Sequence, residues 1–139
     1  MASLGGNRWN FSYYTVPLAW MICLAPHVWS VKYNDAITKQ KKFDKVNPRT
    51  FLHGLAENQS VSEEAKGMIA RAQAAQLNGY ENLGFFAASV VAANTAGVDY
   101  RLVNLLSGAY LINRISFNIA YILGVAGEVR GIFFYAALG

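Results

Sequence analysis

Apolar residues in this chain gather into long runs separated by short polar stretches, and the runs predict helices. The first run predicts a helix over about 13–33. That is close to the about 20 residues a bilayer core requires. Tyr13, Tyr14, Trp20, Trp29 and Tyr33 supply interfacial rings, and Pro26 predicts a kink. The run is too long for a cleavable leader and lacks a small-residue cleavage site, so it is expected to remain as an anchor. His27 stands alone on it, and a packing or hydrogen-bonding role outweighs a catalytic one there.

Residues 32–60 read as a polar connection. Asp44-Lys-Val-Asn47-Pro48-Arg49 predicts a structured turn, because the residue before proline avoids helix. Ser60-Val-Ser-Glu63 has the pattern of a capping box, which starts a second helix over about 61–96. At 1.5 Å per residue such a helix is longer than a bilayer. Its first half is expected in the cytosol, and only the part from Leu83 onward in lipid. That part is rich in small residues (Gly84, Ala87, Ala88, Ala92, Ala93), which permit close helix packing. A turn at 97–101 leads to a third helix over about 102–123. A fourth, shorter helix is expected over 128–139. The sequence thus predicts an all-α integral membrane protein, a single domain over 1–139 folded as a four-transmembrane-helix bundle.

Composition agrees. The chain has 139 residues, of which 54% are hydrophobic and only 14% charged. An ordinary soluble domain carries about 25% charged residues. The net charge of +4 is concentrated in Lys32, Lys39, Lys41, Lys42, Lys45 and Arg49. By the positive-inside rule this loop is expected to be cytosolic, with both chain ends on the opposite side. So apolar a chain is not expected to bind nucleic acid. With the single cysteine Cys23 and two separated histidines, His27 and His53, neither an intrachain disulfide nor a metal site is expected. Asn10-Phe-Ser12 and Asn58-Gln-Ser60 match glycosylation acceptors, but the orientation leaves neither expected to be used.

The candidate chemistry lies where polar groups meet the apolar runs. Arg71, Ala75, Asn78 and Glu81 recur at helical spacing and are expected to share one face. Arg114 falls near the middle of the third helix, where an unpaired arginine costs at least about 2.5 kcal/mol on insertion scales. It must face the protein, and Glu81 is its expected partner. Tyr121 follows two turns later, and Arg130 lies at the start of the fourth helix. Three arginines, a carboxylate, an amide and a phenol could bind a small molecule bearing carboxylates and an ammonium. A structural ion-pair network would use the same groups.

These residues carry a resemblance. Arg71-Ala-x-x-Ala75-x-x-Asn78-x-x-Glu81, followed by aromatic and small residues, resembles the second helix of the MAPEG superfamily, the membrane-associated proteins in eicosanoid and glutathione metabolism. Asn113-Arg114-Ile-Ser-Phe117-Asn-Ile-Ala-Tyr121 resembles that family's third-helix motif, and Val129-Arg130 the start of its fourth helix. The 44–49 loop is similar to one in short fungal members. The resemblance implies a homotrimer of four-helix bundles, in the endoplasmic reticulum or another intracellular membrane. Glutathione would bind between subunits as co-substrate, for transfer to a lipophilic electrophile or reduction of a lipid hydroperoxide. It implies that Asn78 and Glu81 hold glutathione and Tyr121 donates to it. Arg71 and Arg114 would support the site, and Arg130 would act as the catalytic cation beside the sulfur. Phe117, Gly131 and Phe134 depart from the pattern where members often carry polar groups, and Gly84 stands where a proline is common. A second reading is therefore a non-catalytic bundle of this family that serves as a scaffold or binds a partner or lipid.

Overall fold

The computed structural model describes residues 9–38, 43–44 and 46–125. These fold into helices, with no strand among the described residues. Helix α1 is Ser12–Ile37. A 3-10 turn, Pro48–Thr50, runs into the short α2, Phe51–Ala56. Helix α3 is Glu63–Thr95 and α4 is Tyr100–Ile122. Helices α1, α3 and α4 each pack against the other two. The expected fourth helix, with Arg130, Gly131 and Phe134, lies outside the described residues.

The packing inverts the rule for soluble helices. Along α1 the buried positions are Ser12, Thr15, Ala19, Cys23, Pro26, Ser30 and Asn34, small or polar residues spaced three or four apart. The large apolar residues Tyr14, Leu18, Trp20 and Met21 face outward. In α4, Ser107, Arg114 and Asn118 are buried, while Leu105, Leu106, Ile112 and Ile119 are exposed. Small residues let backbones approach, and an apolar exterior costs nothing against lipid tails. Among the described residues, α1 is the helix long and apolar enough to cross a membrane.

Pro26 shows how this bundle handles a broken ladder. Proline has no N–H, so the carbonyl of Ile22 loses its helical donor. Asn118 Nδ2 of α4 donates to that oxygen at 3.1 Å. Replacing Asn118 by leucine is expected to cost about 1 kcal/mol, the scale of interhelical hydrogen bonds in lipid. In a Pro26→Ala background the same change should cost less, because residue 26 again donates within α1. A double-mutant cycle on detergent unfolding checks this, and strict additivity would refute the pairing.

Helix ends follow local chemistry. Ser62 caps α3, its Oγ accepting from Ala65 N at 3.3 Å. This corrects the expectation of a box at Ser60. Ser60 is instead held by Asn58, whose Oδ1 accepts from the Ser60 hydroxyl at 2.7 Å. Helices α3 and α4 both end at a left-handed glycine, Gly97 (φ +74) and Gly124 (φ +72). Beyond each, a backbone N–H reaches back five residues, Val98 to Ala93 and Val125 to Ala120. These are the hydrogen bonds of the Schellman stop, which needs a residue at ease with positive φ.

At the end of the bundle that carries the N-terminal turn of α1, asparagines form a clamp. Asn10 Nδ2 donates to Asn94 Oδ1 (2.6 Å), Asn94 Nδ2 to Ser12 Oγ (2.9 Å) and Asn104 Nδ2 to Trp9 O (2.6 Å). The Asn10 amide of the first glycosylation pattern is thus engaged inside the protein. At the opposite end the described part of the polar connection has local structure of its own. Asp44 Oδ1 accepts from Val46 N at 2.8 Å, forming the expected turn. Helix α2, which the sequence reading did not foresee, buries Leu55 with Val61, Ala65 and Ile69.

Candidate functional site

The middle of the bundle is organised by Arg114, which is only 3% exposed. Helix α4 presents it toward α3. There Nη1 donates to Asn78 Oδ1 at 2.8 Å and Nη2 to the Ala75 carbonyl at 2.9 Å. Its guanidinium carbon lies 4.7 Å from the centre of the Phe117 ring, one turn on. That is cation–π range. Phe117 therefore contributes its ring face under the cation at the position where a polar side chain was the family expectation.

The close approach of the helices depends on Gly79. A Cβ there would stand 2.7 Å from Cys23 Sγ, 2.9 Å from Cys23 Cβ and 3.1 Å from Arg114 Nη2. Cys23 from α1, Gly79 from α3 and Arg114 from α4 thus meet at one point. Arg114 Nε, Asn118 Oδ1 and Tyr110 Oη are buried there without hydrogen-bond partners among the described residues. Each such atom costs about 1–3 kcal/mol.

Arg114 is not partnered by Glu81, contrary to expectation. Glu81 is exposed, and the carboxylates that meet a basic side chain among the described residues are those of Glu57, beside His53, and Glu63, beside Lys66. The physical reason is rotation about the helix. Each step of three residues falls about 60° short of a full turn. Ala75, Asn78 and Glu81 therefore walk from the buried seam to the surface. Asn78 is half-buried at the boundary. Its Oδ1 is taken by Arg114, while its Nδ2 makes no hydrogen bond among the described residues and is not one of the buried orphans.

Arg71 does not join Arg114. Its Nε donates to the Ile122 carbonyl at 2.9 Å, and its guanidinium lies against the Gly124 turn. A cation there satisfies a carbonyl left free at the end of α4 and complements the helix dipole. Tyr121 is half-buried in the last turn of α4, its ring 5.4 Å from that of Phe117. Arg130 lies outside the described residues. So the fold brings Asn78 and Arg114 into contact, ties Arg71 to the end of α4, and leaves Glu81 on the surface.

Sequence reasoning missed Cys23, Gly79 and Asn118. Their signals were faint: a glycine directly after Asn78, and an amide one turn after Arg114. His27 has the hydrogen-bonding role that its isolation indicated. Its Nδ1 lies 3.2 Å from Gln73 Oε1, and Gln73 Nε2 donates to Ser30 Oγ at 2.6 Å. Among the described residues no three His, Cys, Asp or Glu side chains gather as a metal site.

A family model, that of the MAPEG family, matches residues 11–139. No curated protein and no solved structure matches the chain.

Proposed function

Because the chain belongs to the MAPEG family, we propose that it is a membrane-bound glutathione transferase or peroxidase. In this reading it activates the thiol of glutathione for attack on a lipophilic electrophile or a lipid hydroperoxide. The family is membrane-associated and concerned with glutathione and eicosanoid metabolism. The match over 11–139 carries the reading. The apolar exterior of α1 and α4 and the polar seam between α3 and α4 support it.

In this proposal the chain crosses the membrane four times and assembles as a homotrimer. The basic 32–60 loop and the first half of α3 lie in the cytosol, and the membrane is that of the endoplasmic reticulum or another organelle. Glutathione lies against Asn78, Glu81 and Tyr121, with Arg71 and Arg114 supporting the site from the ends of their hydrogen bonds. The nucleophile is the thiolate, since a neutral thiol attacks poorly. A fixed cation beside the sulfur favours the charged form and lowers the thiol pKa. Arg130 is assigned that role, and arginine suits it because it does not give up its own proton. No covalent bond to the enzyme is needed.

The alternative is a non-catalytic member that keeps the bundle as a scaffold or for binding a partner or lipid. What favours it is that Arg71 and Arg114 already make structural hydrogen bonds, and that Phe117 offers no polar group. One experiment separates the two readings: titrate glutathione into the detergent-purified protein and follow the ultraviolet absorbance of the thiolate. The catalytic reading predicts a signal that saturates at neutral pH and vanishes in Arg130→Ala with the oligomer intact. A folded oligomer that gives no signal would leave the scaffold reading standing.

A further inference from the structure

We propose that Arg114 is a positioning residue that fixes the polarity of Asn78, so that α3 offers N–H donors, and only donors, from that side chain to an acceptor oxygen of glutathione. The inference rests on the glutathione reading above and assigns Arg114 a role one step behind the ligand.

An asparagine amide has an accepting oxygen and a donating NH₂, and its two ends are nearly the same size. Left to itself at a half-buried position, it can turn either end outward. Arginine has five N–H donors and no acceptor. An amide in contact with Arg114 must therefore face it with oxygen, and Nη1 meets Asn78 Oδ1 at 2.8 Å. The choice follows from chemistry and does not depend on how the amide is drawn.

Arg114 is itself unable to turn away. Nη2 is held by the Ala75 carbonyl at 2.9 Å, Phe117 lies beneath the guanidinium, and Cys23 and Gly79 close the remaining side. The outward end of Asn78 is then Nδ2, which makes no hydrogen bond among the described residues. Its neighbour supports the same frame, since Asn82 Nδ2 donates back to the Asn78 carbonyl at 2.8 Å. One turn away Glu81 presents an exposed carboxylate. The face so built pairs an oriented donor with an exposed acceptor. It suits a zwitterionic ligand, whose carboxylate or peptide oxygen meets Asn78 and whose ammonium meets Glu81.

The test separates orientation from binding. Without ligand, Asn78→Asp places a carboxylate where Arg114 expects oxygen, so it is expected to raise the melting temperature by several degrees. In an Arg114→Gln background the same change should give no gain, because the cation is gone. Glutathione affinity is then measured by calorimetry. Arg114→Lys remains donor-only and is expected to stay within about threefold of the parent. Arg114→Gln lets the Asn78 amide turn and should weaken binding about tenfold, the equivalent of 1.4 kcal/mol. A purely structural arginine would make lysine and glutamine equally harmful, and that result overturns the proposal. So does an Asn78→Asp effect that ignores residue 114. If the melting experiment shows the coupling but the parent protein does not bind glutathione, the orientation stands. The assignment of the ligand then falls together with the proposed function.

Discussion

Gly79→Ala is expected to destabilise the bundle by about 1–3 kcal/mol, the usual cost of forcing a methyl into a packed core. The backbone at Gly79 is ordinary helix, since the positive-φ glycines among the described residues are Gly97 and Gly124. Alanine would therefore gain up to about 1 kcal/mol of helix propensity if there were room. There is none: the new Cβ falls 2.7 Å from Cys23 Sγ and 2.9 Å from Cys23 Cβ. Either α1 moves off α3 or Arg114, 3.1 Å away on the other side, gives up its contacts. Gly84→Ala is the control, on the same helix with nothing within 4 Å of its Cβ. It should be neutral or stabilising. Adding Cys23→Ala to Gly79→Ala removes the sulfur but leaves the Cβ contact, so recovery should be partial. Unfolding of the parent and the three variants in detergent decides the matter. Equal losses for the two glycines would sink the steric account. A loss confined to Gly84→Ala would report a second chain packed on that face.

What could be read from sequence was what local spacing controls. The runs of apolar residues placed α1, α3 and α4 within a few residues of their ends, and the cost of an unpaired charge in lipid turned Arg114 toward the protein. The errors have two sources. One is charge used as a guide to partners. Opposite sign pointed Arg114 at Glu81, but the rotation of α3 carries Glu81 out to the surface and leaves an amide and a carbonyl at the seam. Likewise the lysines of 32–60 hid the apolar pair Phe51 and Leu55, one turn apart, which α2 folds inward. The other source is non-local. The Ile22 carbonyl freed by Pro26 and the Asn118 amide that takes it are 96 residues apart. Nothing in the spacing of either helix links them. Arg71 belongs to the same class. Its helical register matches that of Asn78, but its target is a carbonyl at the end of another helix.

The second large effect concerns the end of the bundle away from the asparagine clamp. Ile69 is fully buried, and it packs with Leu55, Val61 and Ala65 beneath Tyr33, Ile37 and Phe51. Ile69→Ala is expected to cost about 2–5 kcal/mol, and Ile69→Val about 0.5–1.5 kcal/mol. This cluster is separate from the one formed by Ala19, Phe86 and Val90. Along α3 the Arg114 contacts at Ala75 and Asn78 lie between them. A polar layer between two apolar clusters divides the protein, because loosening one need not loosen the other. The loss at Ile69 should therefore appear first as undocking of α2, read as faster tryptic cleavage at Arg49, with the hydrogen bonds of Arg114 unchanged. If Ile69→Ala instead abolished the Asn78–Arg114 coupling as well, the bundle would be one cooperative unit. The polar layer would then be a seam within a single core and would not divide two.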